Sequence, residues 1–169
     1  GTYAARALTS TCESIEEVQI YKPIYVAKTG SDVNGDGTFA NPFKTIQHGV
    51  NTVAEGGKVY VLPGTYEEQV LVTKGLYLTS NYERLTDSSA IGTTIIKPGS
   101  SSKIEDQNIS SKYSYGGVSV VSTTGDVTIS GFTIKDFEVF YADWWRSGAI
   151  SINENVGYQV AYKNIVVTG

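Results

Sequence analysis

Residues 135–146, KDFEVFYADWWR, hold the densest group of side chains in the sequence that could do chemistry. Tyr141, Trp144 and Trp145 offer flat apolar ring faces. A sugar ring can lie on such a face while its edge hydroxyls bond polar neighbours. Arg146 carries a planar fork of donors that suits a uronate carboxylate. Asp136 and Glu138 project to one side if the stretch stays extended, with Glu154 in the following turn. A paired-carboxylate hydrolase would use Asp136 and Asp143 as acid and as nucleophile or base. Two plainer readings stand beside these. Acids on turns are ordinary solvated groups, and one of the adjacent tryptophans is expected to fold inward as a small satellite core.

A second cluster lies at the start of GSDVNGDGTFANPFKTIQHGV, residues 30–50. Asp32, Asn34 and Asp36 alternate and Gly37 follows, as in a calcium loop. An EF-hand loop beginning at Asp32 would need its bidentate acid at the twelfth position. Phe43 stands there, and the preceding IYVAKTG reads as a strand. Turn chemistry, with Asx side chains bonding their own backbone, accounts for all three residues. The alternative is calcium held by Asp32, Asn34 and Asp36, completed by backbone carbonyls or a distant carboxylate, and steadying the loop. His48, the only histidine, reads as a packing or surface residue, since no Ser or Cys nucleophile motif accompanies it.

The elements that must position these groups are short strands. IYVAK, KVYVL, VLVT, LYLTS, TTIIKP, VSVVS, VTISGFTIKDF, GAISIN and YQVAYKNIVVTG alternate β-branched or aromatic residues with polar ones, broken by Gly, Ser, Asn and Asp. Only one segment reads as a helix, residues 41–54. Asn41 is expected to N-cap it and Pro42 to take its first position. Phe43, Ile46, Val50 and Val53 would share one face, and Gly56 and Gly57 would end it.

The strands repeat. Val127, Ile129, Phe132 and Ile134 match Val160, Tyr162, Ile165 and Val167 at an offset of 33, and Val118 and Val120 match Ile150 and Ile152 at 32. A fixed period of this size marks a solenoid rather than a sandwich. Insertions at one corner of a solenoid stack into one face. Here SSSKIEDQNISSKYSY and FEVFYADWWRS each follow and precede the same kinds of strand, so they are expected side by side as a binding face.

VTISGFTIKDF and YKNIVVTG resemble coils of right-handed parallel β-helix proteins, the pectate-lyase-like superfamily. IYVAKTGSDVNGDGTFANPFKTIQ followed by GGKVYVLPGTYEEQVLV resembles their N-terminal entry, and the resemblance runs over residues 24–169. It implies an all-β fold, a right-handed parallel β-helix solenoid, with the helix at 41–54 as an N-terminal cap over open backbone edges. It further implies an extracellular carbohydrate-active or carbohydrate-binding protein acting on acidic polysaccharide. In the lyases, strand-borne acids such as Asp136 would bind calcium, and a Lys or Arg, here Lys135 or Arg146, would be the base of a β-elimination. The same fold serves non-catalytic surface proteins, so assembly end to end into filaments is the alternative.

Composition narrows the partners. The chain has 169 residues and a formal charge of -4, with no basic stripe for nucleic acid. No apolar run could span a bilayer. Cys12 is the only cysteine, which excludes an intrachain disulfide and leaves packing or a bond to another chain. Asn108 to Ser110 form a glycosylation sequon. Residues 1–23 read as an N-terminal extension. Residues 24–169 read as the solenoid, the first part of a longer one or one that self-associates through its last coil.

Overall fold

The computed structural model describes residues 3–5, 18–82, 88–98, 104–105, 113–121, 123–136, 146–152, 160–163 and 166–168. Over these the chain is mostly β, with parallel sheets and few helices.

Three sheets share most of the strands. The first contains β3 (Ile24–Val26), β4 (Lys58–Val61), β7 (Leu76–Ser80), β11 (Val127–Ser130) and β14 (Val160–Lys163), side by side in chain order. The second contains β5 (Gly64–Tyr66), β8 (Thr94–Ile96), β12 (Thr133–Lys135) and β15 (Val166–Thr168), again in chain order. The third contains β6 (Val70–Val72), β10 (Tyr113–Val120) and β13 (Arg146–Ile152). Every neighbouring pair along these three orders is parallel. Among the described residues antiparallel pairing occurs at two places, between β1 (Tyr3–Ala5) and β2 (Val18–Ile20), and between β9 (Ile104–Glu105) and β10.

The sequence repeat is the register of these sheets. Val127 pairs with Val160, Ile129 with Tyr162 and Ile134 with Val167. Val118 pairs with Ile150 and Val120 with Ile152. Ile165, the fourth member of the repeat, lies outside the described residues. In-register parallel pairing makes each inward position meet the matching position of the next strand, so apolar residues recur at the spacing of the paired strands. The core is built from such columns: Val59, Leu78 and Ile129 in the first sheet, Tyr66, Ile96 and Ile134 in the second, Val70 and Val118 in the third. All of these are fully buried. Tyr66 keeps its hydroxyl satisfied by donating to the Leu62 carbonyl at 2.8 Å.

The predicted helix is shorter than expected and starts later. It is α1 (Ile46–Thr52), N-capped by Thr45, whose hydroxyl accepts the His48 N–H at 3.2 Å. Asn41 and Pro42 do not begin it, because their backbone is already committed. The Asn41 carbonyl accepts from Asp36 and Gly37, and Phe43 bridges β3 by donating to Tyr25 and accepting from Ala27. The apolar face nevertheless holds, with Phe43, Ile46, Val50 and Val53 all buried. A second helix, α2 (Ser89–Thr93), had no counterpart in the sequence reading.

Side chains from the strand region hold both ends of α1. Asp32 accepts the Lys44 and Thr45 N–H groups at 2.7 and 3.1 Å, and the Thr45 hydroxyl at 2.7 Å. Glu68 accepts the Ile46 and Gln47 N–H groups, both at 2.9 Å. Glu68 and Thr45 together take up the Ile46, Gln47 and His48 N–H groups, orphan donors of the first turn, while Asp32 holds the two residues before that turn. At the other end the Lys74 ammonium donates to the Asn51 and Val53 carbonyls at 3.0 and 2.6 Å.

Candidate functional site

Among the described strands three connections run from the second sheet to the third: residues 67–69 join β5 to β6 directly, and the two others are long. One spans residues 97–112 between β8 and β10; the other spans 136–145 between β12 and β13. β8 and β12 are register neighbours, as are β10 and β13. The insertions therefore leave from adjacent strands and return to adjacent strands, as the sequence pattern predicts. Tyr141, Asp143, Trp144, Trp145, Glu138 and the Asn108 sequon lie outside the described residues, as do Cys12 and Glu154.

The third sheet is extended on the side where the insertions enter. β10 has 8 residues and β13 has 7, whereas β6 has 3. Val118 is the first β10 residue opposite β6, so Tyr113–Gly117 reach past it. There β9 takes the place beside β10, with Tyr113 opposite Glu105 and Ser114 opposite Ile104. On the other flank Arg146 starts β13 opposite Ser114. Arg146 thus stands at the tip of a small β9–β10–β13 wing, flanked along β10 by the positions of Tyr113 and Tyr115. Gly117 sets where the wing leaves the trunk. A Cβ there would run into Ile134 of β12, so only glycine allows β10 to cross so close to the second sheet.

Asp136 lies at the opposite end of the second insertion. Its φ of 54° puts it in the left-handed region, the only such non-glycine among the described residues. Aspartate tolerates that conformation better than most residues. β12 ends at Lys135, just before Asp136, and the expected partner Glu138 lies outside the described residues. The Asp136 carboxylate pairs with the Lys97 ammonium at 3.0 Å. The hydrogen bond from Lys97 to Asp136 and the charge behind it hold the Lys97 ammonium above its ordinary range, with Glu67 adding to the effect. Lys135 sits in register with Thr168 of β15, half-buried. Lys135 and Asp136 are separated from Arg146 by the whole of residues 137–145, and the described backbone places them at opposite ends of that connection.

The other predicted cluster is a closed loop. Asp32 makes three bonds to Lys44 and Thr45, and Glu68, bonded to the next two N–H groups, lies near enough for the Asp32 charge to act on it. Burial opposes ionisation of Asp32, but the bonds from Thr45 and Lys44 outweigh it and lower its pKa. Asp36 accepts the Thr38 N–H at 2.9 Å; the Thr38 side chain first, and this N–H second, lower its pKa. Asn34 donates its N–H to the Ser31 hydroxyl at 3.1 Å, and its carbonyl accepts the Asn41 side chain at 2.9 Å. Among the described residues no three His, Cys, Asp or Glu side chains are grouped as metal ligands. The bonds that Asp32, Asn34 and Asp36 make within this loop are those of turn chemistry. His48 packs edge-on to Phe43 at 4.4 Å, the packing role its position suggests.

Residues 28–168 match the model of a family described as a protein of unknown function, DUF1565. The chain belongs to the DUF1565 family. No curated protein matches this DUF1565 chain. Among solved structures it is similar to the GH136 lacto-N-biosidase from Eubacterium ramulus, determined as a selenomethionine derivative, with a TM-score of 0.60 and 15% sequence identity. The alignment covers 86% of this chain and 26% of the enzyme, so the chain spans about a quarter of that enzyme's length. At that identity the likeness speaks for the fold alone. No pectate-lyase assignment follows from either match.

Proposed function

We propose that this chain is a carbohydrate-binding right-handed parallel β-helix, with α1 as a cap on its first layers and its glycan site on the two stacked insertions. The observation that carries the reading is the shared anchoring of those insertions. Both bridge the same two sheets from neighbouring strands, and the second ends on Arg146 at the tip of the wing. The Gln47 side chain supports the cap, because its amide accepts the Leu71 N–H at 2.6 Å and donates to the Leu71 carbonyl at 3.0 Å, closing the edge of β6. The carbohydrate-acting neighbour supports a carbohydrate-related role.

In this reading Tyr141, Trp144 and Trp145 form the ring platform, and Arg146 selects an acidic sugar by a bidentate carboxylate contact. The ligand is an acidic polysaccharide in an extracellular setting. The exposed pair of Asp136 with Lys97 gives that carboxylate a positioning task at the base of the insertion. That favours binding over calcium-dependent elimination by Lys135 or Arg146. The test is calorimetric titration with hexagalacturonate. Trp144→Ala with Trp145→Ala, and separately Arg146→Ala, should each weaken binding at least about tenfold without changing the melting temperature. Unchanged affinity in both would reject the site, and an unsaturated product from the wild-type chain would convert it into a lyase.

A second reading rests on Val166 and Val167 of β15, which are 46% and 52% exposed on an edge strand. Another copy could add strands there, making the protein structural. Light scattering over a concentration series would reveal growing assemblies in that case and a constant mass otherwise.

A further inference from the structure

Away from the insertions, the outer surface of the first sheet carries a row of rings. Tyr25 and Tyr60 are register partners and stack at 5.5 Å with their planes 23° apart. Phe39 meets Tyr25 edge-on at 5.4 Å. The Lys58 ammonium lies 5.5 Å from the centre of Tyr60 and 5.4 Å from that of Tyr77. Most of these ring faces are used by their neighbours. Tyr77 ends the row and is 45% exposed, an unusual state for a large aromatic side chain on a sheet.

Tyr77 forms one wall of an open groove of about 470 Å3, whose other walls are Glu55, Thr124 and Asp126. That volume lies within the range of small-ligand sites. Its floor is glycine backbone. A Cβ on Gly75 would lie 2.7 Å from both Gly125 and the Glu55 carboxylate, and one on Gly125 would also lie 2.7 Å from that carboxylate. Glu55 is held rigidly, its two oxygens accepting the Gly75 N–H at 2.9 Å and the Thr124 hydroxyl at 2.7 Å. Each carboxylate oxygen has a second lone pair for another donor. The groove therefore combines an exposed flat ring, a preset acceptor and a bare floor. Even with Lys58 counted, its charge is negative, which disfavours a uronate and favours hydroxyl donors.

We propose that this groove is a separate glycan subsite that takes one neutral hexose unit, its ring lying on Tyr77 and its hydroxyls donating to Glu55 and Asp126. The subsite is on a different sheet from the insertions and prefers a neutral unit to an acidic one, so it stands whether or not the insertion site does.

The test is an amide chemical-shift titration of the full chain with cellohexaose, mannohexaose, laminarihexaose and N-acetylchitohexaose, with hexagalacturonate as the anionic comparator. At least one neutral hexasaccharide should shift Gly56, Gly75 and Gly125 saturably. Tyr77→Ala should weaken that binding about tenfold or more, and Tyr77→Phe, which keeps the ring, should leave it within about twofold. Trp144→Ala with Trp145→Ala should leave this titration unchanged. The proposal is overturned if no neutral hexasaccharide shifts those glycines, if hexagalacturonate binds there as tightly, or if Tyr77→Ala binds like the wild type while its melting temperature shows it folded.

Discussion

Gln47 completes the hydrogen bonding of Leu71. The side-chain amide presents an acceptor to the Leu71 N–H at 2.6 Å and a donor to its carbonyl at 3.0 Å, the two contacts a neighbouring strand would make. β6 is the edge of the third sheet, so one glutamine on α1 stands in for a missing strand. Gln47→Ala should cost about 1–2 kcal/mol in denaturant unfolding, since two backbone groups lose their partners. Gln47→Glu should cost at least as much at neutral pH, because it faces a carbonyl with a second acceptor. Equal stability of all three proteins would mean that water replaces the amide without loss.

Glu68 makes the matching arrangement at the N-terminus of α1, and it is sensitive to pH. Burial raises its pKa, and its bonds to the Gln47 and Ile46 N–H groups only partly offset that. A raised carboxyl favours the protonated folded state. Its contribution to stability is full below the unfolded pKa and falls as pH rises through the raised value. Asp32 runs the other way: its lowered pKa gives stability above the unfolded value that is lost as pH falls. Carboxyl titration by NMR should therefore find Glu68 above the ordinary glutamate midpoint and Asp32 below the ordinary aspartate one. The reverse order would refute the helix-end geometry.

The Asp32 loop gives a direct test of metal dependence. If its carboxylate serves the Thr45 and Lys44 groups, thermal unfolding should be the same in calcium and in chelator. Asp32→Ala should lower stability by about 1–2 kcal/mol in both, the size of a lost helix cap. A calcium-dependent rise in melting temperature that Asp32→Ala abolishes would restore the ion-binding reading.

The repeat was legible because it is physical. In-register stacking forces like residues to recur, so Val127 with Val160 and Val118 with Ile150 could be read as neighbours before any coordinates. The start of α1 was not legible in the same way. Asn41 and Pro42 are good helix-start residues, yet Phe43 is drawn into a bridge with Val26, a contact between distant parts of the chain. Glu68 was missed as a helix cap for the same reason, lying 22 positions from Ile46. β9 and α2 are too short to leave a periodic signal. Of the candidate site, the neighbouring anchors of the two insertions were legible. The break at Asp136 was not, since a left-handed aspartate looks like any other strand-end acid in sequence. The groove at Tyr77 was not legible either, because segments leading into three neighbouring strands, β4, β7 and β11, build it.

Asp136 offers a substitution that separates backbone strain from chemistry. At a φ of 54° a side-chain-bearing residue costs about 1–2 kcal/mol relative to glycine, and aspartate costs less than alanine. Asp136→Gly should therefore stay close to the wild type, since relief of the backbone offsets the entropy glycine loses on folding and the exposed pair with Lys97 contributes little. Asp136→Ala loses the same pair and keeps the strain, so it should be the less stable variant. Their difference isolates the backbone, because both lack the carboxylate. Binding of hexagalacturonate should change little in the glycine variant if Asp136 only anchors the insertion. If instead both variants lose binding or turnover completely while Asp136→Gly is as stable as the wild type, the carboxylate itself meets the ligand and the positioning role is wrong.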